Sequence, residues 1–141
     1  MRATLEQLCI SSKQPRVLTI DDNPQFRRTL CAMLTSWDLE CFAARDGDEG
    51  FRRVVELRPD IVITDLIMPG FNGFAFLTML QELRPPDRPS VIILSGSLDD
   101  VNTQRHPALK IADYLLAKPI QPQCLHDCLA HSLARRAQVW G

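Results

Sequence analysis

Five polar residues stand where chemistry is feasible. Asp21 and Asp22 follow the apolar run Val17 to Ile20, Asp65 follows Ile61 to Thr64, Ser95 follows Val91 to Leu94, and Lys118 follows Tyr114 to Ala117. Each alone has an ordinary reading, since an Asp after a strand caps the next helix and a Ser–Gly pair makes a turn. As a set they say more. Three neighbouring carboxylates repel one another and raise each other's pKa unless cations compensate. Lys118 leaves the set doubly negative, which one divalent cation would neutralise. A hard, all-oxygen set without Cys or His suits Mg²⁺ rather than zinc. A hydroxyl and an ammonium beside a metal-bound carboxylate are what phosphoryl transfer requires, because positive charge must meet the charge spreading over the transferred group. Asp65 would then be the nucleophile.

The elements that must position these residues follow from the hydrophobic pattern. Runs rich in β-branched residues, each followed by a helical pattern, are the signature of βα units around a parallel sheet. The strands are expected at 17–20, 39–44, 61–64, 91–94 and 114–117. Asn23 caps a first helix with Pro24 in its first turn and a stripe of Phe26, Leu30, Met33 and Leu34 facing the core. The Asp46–Gly47 turn opens a helix carrying Phe51, Val54, Val55 and Leu57, which Pro59 stops. The stretch LIMPGFNG (66–73) reads as a loop, followed by a helix through Phe74, Leu77, Leu80 and Leu83. A polar segment from Leu98 to Ile111 is expected to hold the fourth helix. The last starts near Pro122, with Leu125, Cys128, Leu129 and Leu133 inward. The sum is an α/β fold, (βα)₅. Right-handed crossovers make the strands parallel, so their carboxyl ends, and with them the five polar residues, share one edge of the sheet, where open α/β sheets bind ligands.

The rest of the chain narrows the function. In 141 residues, 16 Lys and Arg against 17 Asp and Glu give a net charge of −1. That opposes binding of nucleic acid or an anionic membrane by bulk charge. No apolar run is long enough to span a bilayer, and the first sixteen residues lack a signal-peptide core, so a cytoplasmic location is expected. The five cysteines, Cys9, Cys31, Cys41, Cys124 and Cys128, form no C-x-x-C pair and no zinc-spaced cluster. Reduced thiols are expected, with Cys124 and Cys128 facing the core. The histidines, His106, His126 and His131, have no plausible ligand set.

On VLTIDDNP (17–24), IVITDLIMPGFNG (61–73), VIILSG (91–96) and YLLAKPI (114–120), the sequence resembles a response-regulator receiver domain of the CheY-like superfamily, the phosphoacceptor module of two-component signalling. The resemblance covers about residues 16–136, with 1–15 as an N-terminal extension and 137–141 as a C-terminal tail. It implies a doubly wound, flavodoxin-like sheet in the order 2-1-3-4-5. It implies that Asp65 takes a phosphoryl group from a phosphohistidine on a histidine kinase or histidine phosphotransfer protein. Asp22 and Asp65 would bind Mg²⁺ directly, Asp21 mainly through water, and the backbone carbonyl of Ile67 would complete the protein ligands. Ser95 and Lys118 would hold phosphoryl oxygens, and the Lys118–Pro119 bond would be cis. Phosphorylation adds charge and acceptor oxygens at Asp65, so Ser95 would be drawn inward, switching contacts with a downstream protein.

Two departures stand out. The family usually has an aromatic residue three positions before the lysine, where this chain has Leu115, with Tyr114 one earlier. Side chains alternate along a strand, so either the strand is bulged by one residue or Leu115 takes the switch position. The glycine usual before Ala112–Asp113 is replaced by Ile111. Ile67 and Ser97 occupy the positions that tune dephosphorylation in the family. An aspartate-nucleophile phosphatase would need a second Asp at position 67, so an enzyme is not expected. A phosphorylation-independent interaction module and a receiver fragment of a larger regulator, with an output domain beyond Gly141, are the alternatives. A homodimer through the 111–136 surface is left open.

Overall fold

The computed structural model describes residues 14–65, 67–68, 71–84, 87–96 and 112–140. β1 (Arg16–Ile20) is buried along most of its length, as is β3 (Ile61–Thr64). Both lie inside the sheet, where a parallel strand is covered on two faces and needs near-continuous apolar residues. β2 (Glu40–Ala44), β6 (Ser90–Ser95) and β7 (Tyr114–Ala117) complete it in the order β2-β1-β3-β6-β7, all pairs parallel. Counting these five strands alone, the order is 2-1-3-4-5.

Between β3 and β6 the chain makes a two-residue antiparallel pair, β4 (Ile67–Met68) with β5 (Phe71–Asn72). This corrects the reading of 66–73 as a plain loop. Strands of two residues are too short to show a period of two, so the pattern could not reveal them.

Helix α1 (Pro24–Ser36) begins where expected. The Asn23 side chain accepts hydrogen bonds from the Gln25 and Phe26 amides, at 2.9 and 3.1 Å, satisfying donors that the first turn leaves without partners. Helix α2 (Gly47–Leu57) is capped by Asp46 and ends at Arg58, in the left-handed conformation just before Pro59. Its inner face is Gly50 and Val54, whereas Val55 points outward, 56% exposed. Gly50 lets α2 approach β1, because a Cβ there would stand 2.5 Å from Ile20 Cδ1. Helix α3 (Gly73–Gln81) follows β5, and α4 (Pro122–Trp140) closes the chain past residue 136. The expected helix at 98–111 lies outside the described residues.

Two apolar layers flank the sheet. One gathers Leu18, Ile20, Val54, Val62, Leu77, Leu80 and Ile93 under α2 and α3. The other gathers Val17, Leu30, Leu34, Ile63, Ile92, Leu125, Leu129 and Leu133 under α1 and α4. The cysteine expectations fail in two ways. Cys124 is exposed, whereas Cys128, half-buried, packs against the layer under α1 and α4 as expected. The 3.6-residue repeat of α4 turns Leu125, Leu129, Ser132 and Leu133 inward and leaves 124 outside. Cys31 of α1 and Cys41 of β2 form a disulfide, their Cα atoms 5.6 Å apart. Spacing alone does not reveal such a partner, since the fold brings the two together. Among the described residues, no helix is long and apolar enough to cross a membrane.

Candidate functional site

The strands end together. Asp21 follows β1, Asp65 follows β3 and Lys118 follows β7, so the sheet register delivers all three to one edge. The Asp21 amide donates to the Ala44 carbonyl of β2, and the Asp65 amide donates to the Ile20 carbonyl of β1, at 3.2 and 3.3 Å. Backbone pairing therefore runs into the site itself.

The Lys118 ammonium donates to Asp21 Oδ2 at 3.0 Å and to Asp65 Oδ2 at 2.9 Å. Asp21 and Asp65 are largely buried, their side chains 5% and 13% exposed, and that of Lys118 is 26% exposed. Burial works to lower the lysine's pKa. Hydrogen bonds and charge attraction from Asp65 and Asp21 outweigh it and hold the ammonium above its ordinary value. The second oxygen of Asp21 accepts from the Asn23 amide at 2.9 Å, which fixes that carboxylate's orientation. Asp22 stands exposed beside it.

Ser95 ends β6 in register with Ala117, the residue before Lys118, so its backbone lies at the same edge. The side chains of Ser95 and Ile67 and the whole of Ser97 lie outside the described residues. The Lys118–Pro119 bond is cis. At the departure before the lysine, the register of β7 against β6 is unbroken from Tyr114 to Ala117, so the strand carries no bulge. Tyr114 turns toward α4, with its hydroxyl on His131 Nδ1. Leu115 faces the other way and is 41% exposed.

Two neighbours of the site went unread in the sequence. Phe26, taken only for a core residue, places its ring centroid 4.4 Å from the Lys118 ammonium. Arg27 donates to the Asp21 carbonyl at 2.6 Å. The signal was there: a helix capped at Asn23 must lay its first turn over the acidic pair just before it.

Does the arrangement fit a magnesium ion? Two carboxylates converge closely enough to share one cation, and every donor is a hard oxygen. Among the described residues, no three His, Cys, Asp or Glu side chains form a ready metal cage. Mg²⁺ is commonly held by one or two carboxylates, several waters and phosphate oxygens, so the set fits.

Comparison with known proteins agrees. The family model of the response regulator receiver domain matches residues 17–130. The chain is 38% identical over 106 residues to protein-glutamate methylesterase/protein-glutamine glutaminase 3 of Geobacter sulfurreducens, covering 74% of this chain and 28% of that protein. It is 40% identical over 87 residues to the transcriptional regulatory protein LiaR of Bacillus subtilis, covering 60% of this chain and 40% of that one. A response regulator receiver domain from Clostridium thermocellum superposes with a TM-score of 0.77 at 27% identity, covering 89% of this chain and 98% of its own.

The chain thus belongs to the response regulator receiver domain family. It spans well under half the length of these two curated relatives, and the methylesterase match falls on its receiver portion. Receiver domains of this family interact with histidine kinases and downstream effectors, generally bind Mg²⁺ at the phosphorylation site, and are not in general enzymes.

Proposed function

We propose that Asp65 is the phosphoacceptor of this receiver. The observation that carries the reading is the Lys118 ammonium shared by Asp65 and Asp21 at the carboxyl edge of the sheet. A carboxylate oxygen of Asp65 forms a bond to phosphorus as the bond from phosphorus to the imidazole nitrogen of a phosphohistidine breaks. The imidazole leaves with that electron pair and takes a proton from solvent. The donor is a histidine kinase or histidine phosphotransfer protein.

Lys118 follows the charge as it moves onto the phosphoryl oxygens, and Ser95 donates its hydroxyl to another of them. Asp21, Asp22, Asp65 and the Ile67 carbonyl would hold Mg²⁺, which when bound neutralises charge on the phosphoryl oxygens. Ile67 and Ser97, at the positions that tune dephosphorylation in the family, set the lifetime of the phosphorylated form. The inward shift of Ser95 then changes the surface offered to a downstream protein, with Leu115 in the place the family usually gives an aromatic ring. The domain works in the cytoplasm and catalyses no reaction on another substrate.

Intact-mass analysis after incubation with acetyl phosphate, with and without Mg²⁺, tests this. One magnesium-dependent phosphoryl adduct is expected, absent in Asp65→Asn. An adduct that persists in the variant overturns the assignment. So does the absence of any adduct from both acetyl phosphate and a phosphohistidine donor.

A further inference from the structure

An ammonium has three N–H donors. Two of those on Lys118 are taken by Asp21 and Asp65, at 3.0 and 2.9 Å. Beside these two carboxylates, the Phe26 ring approaches to 4.4 Å from centroid to nitrogen. The face of an aromatic ring carries negative charge and attracts a cation, more strongly where water is scarce. The ring is itself held. Phe26 sits in the first turn of α1, its amide bonded to the Asn23 cap, and it packs on the layer under α1 and α4.

The two carboxylates are temporary partners. If Asp21 turns to a metal ion and Asp65 becomes an acyl phosphate, both present acceptors of Lys118 change during the reaction. A lysine on a flexible four-carbon stem would then pass from carboxylate to phosphoryl oxygens with no fixed oxygen to hold its place. The Phe26 ring is a partner that the reaction does not alter.

We propose that Phe26 is a positioning residue for phosphoryl transfer, its ring face keeping the Lys118 ammonium over the strand ends while the carboxylate partners exchange. This rests on Asp65 being the acceptor.

The test compares phosphoryl uptake from acetyl phosphate with Mg²⁺ in the native protein, Phe26→Tyr, Phe26→Leu, and proteins carrying mono-, di- and trifluorinated phenylalanine at position 26. Fluorine nearly preserves the shape of the ring and withdraws charge from its face. Phe26→Leu is expected to slow uptake about three- to tenfold, in line with the strength of such contacts. Phe26→Tyr keeps the native rate, and the fluorinated series slows in step with fluorine number. In the Mg²⁺-free protein, proton NMR should show the Lys118 ε-methylene signal shifted upfield by the ring, and this shift is lost in Phe26→Leu.

Uptake independent of fluorination, with Phe26→Leu slow, means the ring serves as packing only and overturns the proposal. Native uptake in Phe26→Leu, or no ring shift on Lys118, also overturns it. Should Phe26→Leu fail to fold, the near-isosteric fluorinated series decides. A native protein that takes no phosphoryl group at all defeats the Asp65 reading and this one with it. A native adduct with a flat Phe26 series defeats only this one.

Discussion

Aspartates close both ends of the sheet, and the two ends satisfy them differently. At the amino end, Asp60 Oδ2 accepts from the Arg16 amide at 2.9 Å, and Asp113 Oδ2 accepts from the Val91 amide at 2.8 Å. Each of these carboxylates fastens the start of one strand to its neighbour, Asp60 before β3 to β1 and Asp113 before β7 to β6. At the carboxyl end, Asp21 and Asp65 share a lysine side chain. A backbone amide cannot leave its acceptor without unpairing a strand. An ammonium on a flexible stem can exchange one oxygen for another. The same residue type therefore makes scaffold where its partner is fixed and a reactive site where its partner can move.

The comparison can be broken at either end. The largest effect is expected from Lys118→Ala, which removes the exchangeable partner. Phosphoryl uptake should fall by about a hundredfold or more, the usual cost of deleting a group that stabilises developing negative charge. A time course by intact mass checks it, and uptake within a few fold of native would remove the lysine from the site.

The amino end should answer in stability instead. Asp60→Ala and Asp113→Ala each leave a strand amide without its acceptor and should cost about 1–3 kcal/mol. Urea unfolding measures this, and the uptake rate should stay within about twofold of native. A variant that loses uptake but not stability would erase the distinction between the two ends.

Gly50→Ala probes the link between helix packing and the site, because its new methyl meets Ile20, the residue before Asp21. With Ile20 Cδ1 only 2.5 Å from the added Cβ, a loss of about 1–3 kcal/mol is expected. Gly96→Ala is the control, since nothing among the described residues lies within 4 Å of its Cβ, and stability should change by less than about 0.5 kcal/mol. Among the variants that remove a contact, the smallest loss, about 1 kcal/mol by thermal unfolding, is expected for Asn23→Ala, which removes two capping bonds but no site residue.

The order of elements was legible because each signal is local. β3 and β7 follow the apolar runs to the residue, and α1 starts at its cap. The candidate site was legible for a related reason. A residue that ends a parallel strand has its place fixed by the strand, so Asp21, Asp65 and Lys118 could be assembled on paper before any distance was known. What stayed hidden depends on contacts across elements. Phe26 fits an apolar stripe equally well whether its ring meets only leucines or also an ammonium. Cys31 and Cys41 carry no spacing that announces a bond, and Cys124 matches a helical repeat without lying on its buried face.

The sequence by itself determined the parallel sheet and the edge at which its polar residues gather, because hydrophobic period and strand termini are properties of short stretches of chain. Only the tertiary structure decided which atoms meet there. Lys118 bridges two aspartates, an aromatic ring stands by it, and an unbroken strand register turns Tyr114 to α4 and leaves Leu115 on the opposite face. Those outcomes depend on how α1, β7 and α4 pack on the same sheet, and no local pattern encodes the distance between residues nearly a hundred positions apart.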